Sequence, residues 1–167
     1  RPKRGPLHHP AAARGRGQAP VSDTVNLHAT GLVLGSSGVI LRGPSGAGKS
    51  LLALELIDQW QQRGLGAKLV SDDRVDLSVE RGRLVRRPPP AIAGLVELRG
   101  RGIVARPFAS RARLDLVVDL IDRLDRMIEE DDLTTELLGV RISRCPVPRA
   151  GIIDGLHQLR LIREALL

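Results

Sequence analysis

The first half of the chain contains short apolar runs and one segment with helical spacing. Residues 25–34 mix β-branched and aliphatic side chains, which predicts one or two short strands, and the apolar run at residues 38–42 predicts a buried strand. At residues 50–63 the apolar side chains recur on one helical face, and Gly64 follows as a stop signal. Residues 67–70 predict a further strand. This order predicts a crossover unit, in which ligands bind at the carboxyl ends of the strands.

The second half of the chain predicts mainly short strands. Residues 76–80 and 84–86 predict a hairpin that turns around Arg81-Gly82. Further strands are predicted at residues 95–99, 103–105, 114–121 and 137–143, although residues 114–121 fit a helical face about as well. A closing helix is predicted at residues 151–167, with the inward-facing residues Ile152, Leu156, Leu159 and Ile162. Because strands outnumber helices, the predicted fold class is α/β, with a mixed β-sheet and flanking helices.

A glycine-rich loop links the strand at residues 38–42 to the first helix. Its sequence is Gly43-Pro44-Ser45-Gly46-Ala47-Gly48-Lys49-Ser50, which matches the P-loop pattern G-x-x-x-x-G-K-S. The glycines let the backbone come close to a ligand, so that successive N–H groups and the helix dipole point at phosphate oxygens. Lys49 would bridge the β- and γ-phosphates, and the Ser50 hydroxyl would bind Mg²⁺. The loop predicts a nucleoside triphosphate site with Mg²⁺, because a plain glycine turn needs no Lys-Ser pair.

Two adjacent carboxylates follow the strand at residues 67–70. Phosphoryl transfer to a hydroxyl needs one carboxylate to accept the proton, and usually a second one to hold the metal. Asp72 and Asp73 lie at the carboxyl end of this strand, beside the loop. The alternative interpretation is an acidic pair that only caps a turn. The position of the pair makes it a candidate for the catalytic base.

Net charge and aromatic content narrow the classes of function. Of the net charge of +7, residues 1–20 supply +5, so the other 147 residues carry only +2. A basic tail is usually solvated, and Trp60 and Phe108 are the only aromatic residues on which bases could stack. We therefore expect no nucleic-acid partner.

Chain length and local composition predict a single domain. Residues 1–22 are rich in Pro, Gly, Ala and Arg and predict a disordered basic tail, which leaves residues 23–167 as one P-loop catalytic domain. No apolar run approaches the roughly 20 residues that span a bilayer, and Cys145 has no partner for an internal disulfide. We expect a cytoplasmic protein without a membrane partner.

Three stretches together resemble the HPr kinase/phosphorylases of bacteria, over about residues 28–149. The first is His28, fifteen residues before Gly43, followed by the complete loop. The second is Val70-Ser71-Asp72-Asp73, which is similar to the Ala-Asp-Asp stretch of the family. The third is the segment GLVELRGRGI at residues 94–103, which is similar to the family signature. Many enzymes share the loop, whereas the third stretch is far more specific.

The resemblance implies a kinase that uses ATP and Mg²⁺ to phosphorylate a serine of an HPr-like phosphocarrier protein of the phosphotransferase system. It makes Asp72 the base that deprotonates the target serine, with Asp73 beside it and His28 supporting the pair. It also makes Lys49 catalytic and lets Glu97 share Mg²⁺ with Ser50. An exposed strand face is the alternative for Glu97, and an ordinary half-buried histidine is the alternative for His28.

The resemblance carries further implications about the loops and the assembly. The family places an arginine in a mobile loop against the transferred phosphate, and Arg126 is the nearest candidate, with Arg123 as its rival. The family forms hexamers, so we expect a homo-oligomer. The absence of the additional N-terminal domain found in long members suggests the short form typical of alphaproteobacteria. Residues 146–151 replace the Pro-Gly-Arg-Asn stretch linked to the reverse reaction, so kinase activity is expected ahead of phosphorolysis.

Two other classes of function share some of these features. A small-molecule P-loop kinase or a plain NTPase would use the same loop and aspartate pair, but it has no need of the signature stretch at residues 94–103. A nucleotide-sensing regulator would bind without turnover, and Asp72 would then be dispensable.

Overall fold

A computed structural model describes residues 23–167, so the tail predicted at residues 1–22 lies outside the described part of the chain. The strands are β1 (Val25–His28), β2 (Thr30–Leu34), β3 (Ser37–Arg42), β4 (Ala67–Ser71), β5 (Arg74–Glu80), β6 (Arg83–Arg87), β7 (Leu95–Leu98), β8 (Gly102–Ala105), β9 (Ala112–Arg113), β10 (Leu116–Ile121), β11 (Thr134–Leu137) and β12 (Val140–Pro148). The helices are α1 (Lys49–Gln62) and α2 (Gly155–Ala165). Neither of these two helices combines the length and the apolar character that crossing a bilayer requires.

The central sheet has six strands in the order β11-β12-β10-β3-β2-β4. Strands β3, β10 and β12 are parallel, whereas β2 and β11 pair antiparallel with their neighbours. An antiparallel sheet in the order β1-β5-β6-β9 forms a second layer, and β7 and β8 form a separate hairpin. The prediction of an α/β fold with a mixed sheet is confirmed.

Strand β2 lies between the two strands of the predicted crossover unit, a position that the local sequence did not indicate. The helical segment between β3 and β4 forms as predicted, but β4 pairs with β2 instead of with β3. β2 turns tightly into β3 at Gly35, where φ is 62°, and therefore occupies the neighbouring position in the sheet. β3 and β4 are still parallel because each pairs antiparallel with β2, so both carboxyl ends reach the same edge.

The prediction of one strand at residues 137–143 is wrong. The chain reverses at Leu138 and Gly139, whose φ values are 48° and 76°, and residues on either side belong to the antiparallel pair β11 and β12. Positive φ at both central residues is the geometry of a tight hairpin turn. Leucine rarely adopts positive φ, so the apolar sequence pattern did not indicate a turn here.

The closing helix starts later than predicted, at Gly155. Asp154 is its N-cap, because its Oδ1 accepts a hydrogen bond of 2.8 Å from the His157 N–H. Leu159 and Ile162 are buried as predicted, but Leu156 is 76% exposed. The buried face also contains Gln158, which places Leu156 roughly 110° from its centre at about 100° per residue.

Two apolar clusters hold the layers together. One face of α1 packs on the central sheet through Leu52, Leu56, Ile57 and Trp60. The opposite face of the sheet packs on the antiparallel layer, where Ile40 and Val117 meet Val75 and Leu77. The end of β3 that leads into the glycine-rich loop is therefore packed against other elements on both faces of the sheet.

An ion-pair cluster joins the three parallel strands near this edge. The side chain of Asp119 on β10 is 15% exposed, and it accepts two hydrogen bonds from Arg42 on β3, of 2.7 and 2.8 Å. Arg144 on β12 donates a third, from its Nε at 2.5 Å. Burial acts to raise the pKa of Asp119, but the bonds from the two arginines outweigh it and hold the pKa below its ordinary value.

This cluster predicts a loss of stability in acid. A carboxyl group with a lower pKa in the folded state stabilises the fold above its unfolded pKa of about 3.9, and the contribution is lost as pH falls through the folded pKa. Asp119→Asn removes the carboxylate that Arg42 and Arg144 share and leaves Arg144 only its longer pair with Asp132, at 3.8 Å, so we expect a loss of about 2 kcal/mol at pH 7. Urea unfolding should show this difference from wild type shrinking below about pH 4. A difference that stays constant down to pH 3 would contradict the assignment.

Candidate active site

The glycine-rich loop occupies the turn between β3 and α1. Gly46 and Gly48 have φ values of 82° and 93°, in the left-handed region that glycine adopts without a steric penalty. Gly48 is the N-cap of α1 and has no side chain to cap the helix. The N–H groups of the first helical turn therefore remain for a bound anion such as a phosphate.

Lys49 is the first residue of α1 and is almost fully buried, with 7% of its surface exposed. Its Nζ donates to the carbonyl oxygen of Gly43 at 2.8 Å and to that of Pro44 at 3.1 Å. Burial lowers the pKa of Lys49, and the charges of Asp73 and Asp72 act against this shift. The ammonium group is thus anchored on the loop that it is predicted to serve.

The side chain of Asp72 is held by three hydrogen bonds from three different elements. Its Oδ1 accepts from the Ser50 hydroxyl at 2.7 Å and from the Thr30 hydroxyl at 2.9 Å. Its Oδ2 accepts from the backbone N–H of Glu97 at 3.2 Å. Asp72 is 5% exposed and Thr30 is fully buried. These contacts fix the carboxylate beside the start of α1.

Asp73 has a different environment from its neighbour in sequence. Its φ of 64° is in the left-handed region, which turns its side chain outward so that 66% of it is exposed. The Asp73 Oδ1 lies 2.8 Å from the Nε2 of His28, at the end of β1. Backbone bonds from the Ala29 N–H to the Asp73 carbonyl and from the Arg74 N–H to the Asp72 carbonyl close the turn. The pair therefore forms a turn and also supplies an inward carboxylate.

A cavity of about 410 Å³ opens at this edge. The loop, the start of α1, the aspartate pair and the β7–β8 hairpin all contribute to its walls. They do so through Ser45, Gly46, Gly48, Lys49, Ser50, Leu51, Asp72, Asp73, Glu97, Leu98 and Arg99. The glycine-rich loop, a buried carboxylate and further acidic groups thus face one space.

Comparison with known proteins identifies the family to which this arrangement belongs. The model of the HPr Serine kinase C-terminal domain matches residues 20–162. The chain belongs to this family. A solved relative, the Hpr(Ser) kinase/phosphatase from Coxiella burnetii, superposes with a TM-score of 0.68 at 27% identity, over 84% of this chain and 89% of that chain.

Curated relatives agree with the family model. An HPr kinase/phosphorylase of Aromatoleum aromaticum is 38% identical over 144 residues, which is 78% of this chain and 44% of that protein. An HPr kinase/phosphorylase of Mycoplasma mycoides subsp. mycoides is 28% identical over 158 residues, which is 87% of this chain and 48% of that protein. The chain spans less than half the length of these relatives.

The HPr serine kinase family was predicted from three sequence blocks, and this prediction is confirmed. In the structure, part of each block lines the cavity. The loop forms one wall, the 70–73 block delivers Asp72, and the 94–103 block delivers Glu97 and Arg99. The spacing of these blocks along the chain therefore reflects one site in space.

His28 and the two candidate arginines, all within residues 23–167, do not line the cavity. His28 reaches the site through its contact with Asp73. Arg126 is exposed in the segment that follows β10, and in that segment Arg123 pairs with Asp125 at 2.7 Å. In the described part of the chain, neither arginine is among the residues that line the cavity. A role for Arg126 stays a prediction.

Thr30 is a site residue that sequence reasoning missed. It is fully buried, and it donates to Asp72 while its Oγ1 lies 3.4 Å from the backbone N of Asp73. One signal in the sequence could have found it. His28 and Thr30 are two positions apart in an extended segment, so their side chains point to the same side.

The donors at the cavity fit a magnesium ion that is shared with a nucleotide. Among residues 23–167, no group of three or more His, Cys, Asp and Glu side chains is arranged to hold a metal alone. Mg²⁺ usually keeps several waters and binds through one or two protein groups plus substrate phosphates. The Ser50 hydroxyl and the Glu97 carboxylate at one cavity suit this mode of binding.

Proposed function

We propose that this chain is the catalytic part of an ATP- and Mg²⁺-dependent kinase that phosphorylates a serine of an HPr-like phosphocarrier protein. The observation that carries the proposal is the position of Asp72. It is 5% exposed and lies 2.7 Å from Ser50, at the point where the phosphate loop enters α1. The family's relatives named HPr kinase/phosphorylase support this substrate class.

The loop and Lys49 would hold the triphosphate. Backbone N–H groups at the start of α1 would bind the phosphates, and the Lys49 ammonium already donates to two carbonyl groups of the same loop. Ser50 and Glu97 would hold Mg²⁺, which neutralises charge on the phosphates when it is bound. These groups would orient the terminal phosphate toward the open side of the cavity.

Asp72 would accept the proton of the target serine. Its Oδ1 accepts from two hydroxyl groups, whereas its Oδ2 accepts only from the Glu97 N–H among the described residues. A carboxylate oxygen has two acceptor sites, so Oδ2 has room for the serine hydroxyl. His28 would act indirectly, by holding Asp73 and with it the turn that presents Asp72.

The remaining expectations belong to the same proposal. Arg126 would contact the transferred phosphate from the segment after β10, once ligands are bound. The full protein would be cytoplasmic and would assemble as a homo-oligomer, with a hexamer as the first size to test by sedimentation. Phosphorolysis would be the weaker reaction, because residues 146–151 differ from the stretch linked to it.

Transfer of label from ATP tests the proposal directly. Wild-type chain, Mg²⁺, γ-labelled ATP and a purified HPr-like protein should give a carrier labelled on serine. Chelation of Mg²⁺, or replacement of the target serine by alanine, should remove the label. The proposal is wrong if the carrier stays unlabelled while a small metabolite is phosphorylated, or if ATP is only hydrolysed.

A further inference from the structure

The β7–β8 hairpin forms one rim of the cavity and stands apart from the other sheets. Within residues 23–167 its two strands pair only with each other. Val96 on β7 is 1% exposed and packs with the core residues of α1, which anchors the inner face of the hairpin. Glu97 and Arg99 reach the cavity from the same strand and the turn after it. The hairpin is thus a fixed rim with one face turned outward.

The outer face of the hairpin is partly apolar and continuous with the site. Glu97 lies directly opposite Ile103, and Leu95 lies opposite Ala105. Opposed residues of an antiparallel pair are separated by only about 5 Å. Ile103 is 66% exposed and Leu95 is 39% exposed. A molecule that covers Ile103 therefore also contacts the edge of the cavity at Glu97.

The same rim carries positive charge that the described chain does not neutralise. Between residues 88 and 110 the basic residues are Arg99, Arg101 and Arg106, and Glu97 is the only acidic one. In the described part of the chain, Arg99 and Arg101 form no ion pair, and the Arg106 side chain donates only to the carbonyl oxygen of Ala105. Many arginines elsewhere, such as Arg113 with Asp115, have acidic partners.

We propose that the outer face of the β7–β8 hairpin docks an acidic, partly apolar patch on the protein substrate, next to its target serine. This inference rests on the proposed function. Asp72 is 5% exposed, so a serine that reaches it must enter the cavity, and the protein surface around that serine must cover the rim. Carboxylates on that surface would meet Arg101 and Arg106, and an apolar side chain would cover Ile103.

Charge reversal at Arg101 tests the docking. We expect Arg101→Glu to raise the KM for an HPr-like carrier about tenfold. The kcat and the KM for ATP should change by less than about twofold, because a charge at the rim of an interface mainly affects the rate of association. Raising the salt concentration should increase the carrier KM of wild type and have less effect on the variant. Ile103→Ser should also raise the carrier KM, without loss of thermal stability, since Ile103 is mostly exposed.

Arg63→Glu is the matched control. Arg63 is exposed and follows the last residue of α1, about 20 Å from the loop at the other end of that helix. It carries the same charge change and should leave the carrier KM unchanged. Reversing acidic residues near the carrier's serine to lysine should restore activity with Arg101→Glu and weaken it with wild type.

Several outcomes would overturn the docking inference, and they can be told apart from failure of the proposed function. Wild type that phosphorylates the carrier, with equal carrier KM for Arg101→Glu and Arg63→Glu, overturns only the docking. A changed sedimentation mass for Arg101→Glu with an unchanged carrier KM assigns the hairpin to contacts between copies of the chain. Wild type that neither labels nor binds the carrier in a titration overturns both.

Discussion

Asp72→Asn should reduce phosphoryl transfer by about 10² or more while ATP binding persists. The change removes the carboxylate that would accept the serine proton, and general-base catalysis contributes about 10²–10⁴. The loop and Lys49 are untouched, so the Kd for ATP should stay within about threefold of wild type. Single-turnover transfer to the carrier and equilibrium titration with ATP measure the two quantities separately.

The controls separate chemistry from structure. An asparagine oxygen can still accept from Ser50 and Thr30, but its amide group faces the N–H of Glu97, so one hydrogen bond is lost, at about 1 kcal/mol. Thermal melting should therefore show a modest decrease. Asp58→Asn, on the exposed face of α1, should change neither transfer nor stability. Equal transfer rates for Asp72→Asn and wild type would remove Asp72 from the mechanism.

Gly38→Ala should destabilise the fold by at least about 3 kcal/mol, far more than most single changes. An added Cβ at Gly38 would lie 1.7 Å from the backbone oxygen of Arg113 and 2.8 Å from a guanidinium nitrogen of Arg86. Gly38 also bonds Asp115 through its N–H and its carbonyl oxygen, each at 2.8 Å. The Arg113 carbonyl is backbone, and the Arg86 guanidinium is held by its own hydrogen bonds, so neither can easily move aside.

The fully buried Arg86 makes Gly38 even less tolerant of an added methyl group. Its guanidinium donates to the carbonyl oxygens of Leu32, at 2.7 Å, and Val39. Burial lowers the pKa of Arg86 to about 9, and the charge of Asp115 acts against the shift. A methyl group at Gly38 would disturb these bonds and leave buried polar groups without partners, which is costly.

Gly66→Ala is the control for this prediction. An added Cβ at Gly66 meets no atom within 4 Å, and its φ is not in the left-handed region. Urea unfolding should show Gly66→Ala within about 1 kcal/mol of wild type. If Gly38→Ala unfolds at the same urea concentration as Gly66→Ala, the result would contradict the close approach of Gly38 to the Arg113 carbonyl.

Local signals predicted the parts of the site that lie close together in sequence. The loop and the start of α1 follow from glycine spacing and the Lys-Ser pair, and the hairpin around Arg81-Gly82 follows from its turn residues, whose φ values are 50° and 75°. The 94–103 block pointed to Glu97 by resemblance. Each of these signals is contained within about ten residues of the chain.

The rest depends on contacts that local sequence does not encode. Thr30 is 42 positions from Asp72, and only the pairing of β2 with β4 brings the two together. The insertion of β2 between the crossover strands follows from a hairpin competing for the same sheet edge. Leu138 adopts a conformation that its residue type disfavours, because its neighbours pair as β11 and β12.

The separate pairing of the β7–β8 hairpin has an evolutionary consequence. Within residues 23–167 the hairpin pairs with no other strand, so substitutions at outer positions other than Glu97 can accumulate without shifting the glycine-rich loop. Arg101 and Ile103 can therefore diverge as the partner surface diverges, while Val96 stays constrained by the core. A change of partner in a lineage would first be visible at these outer positions.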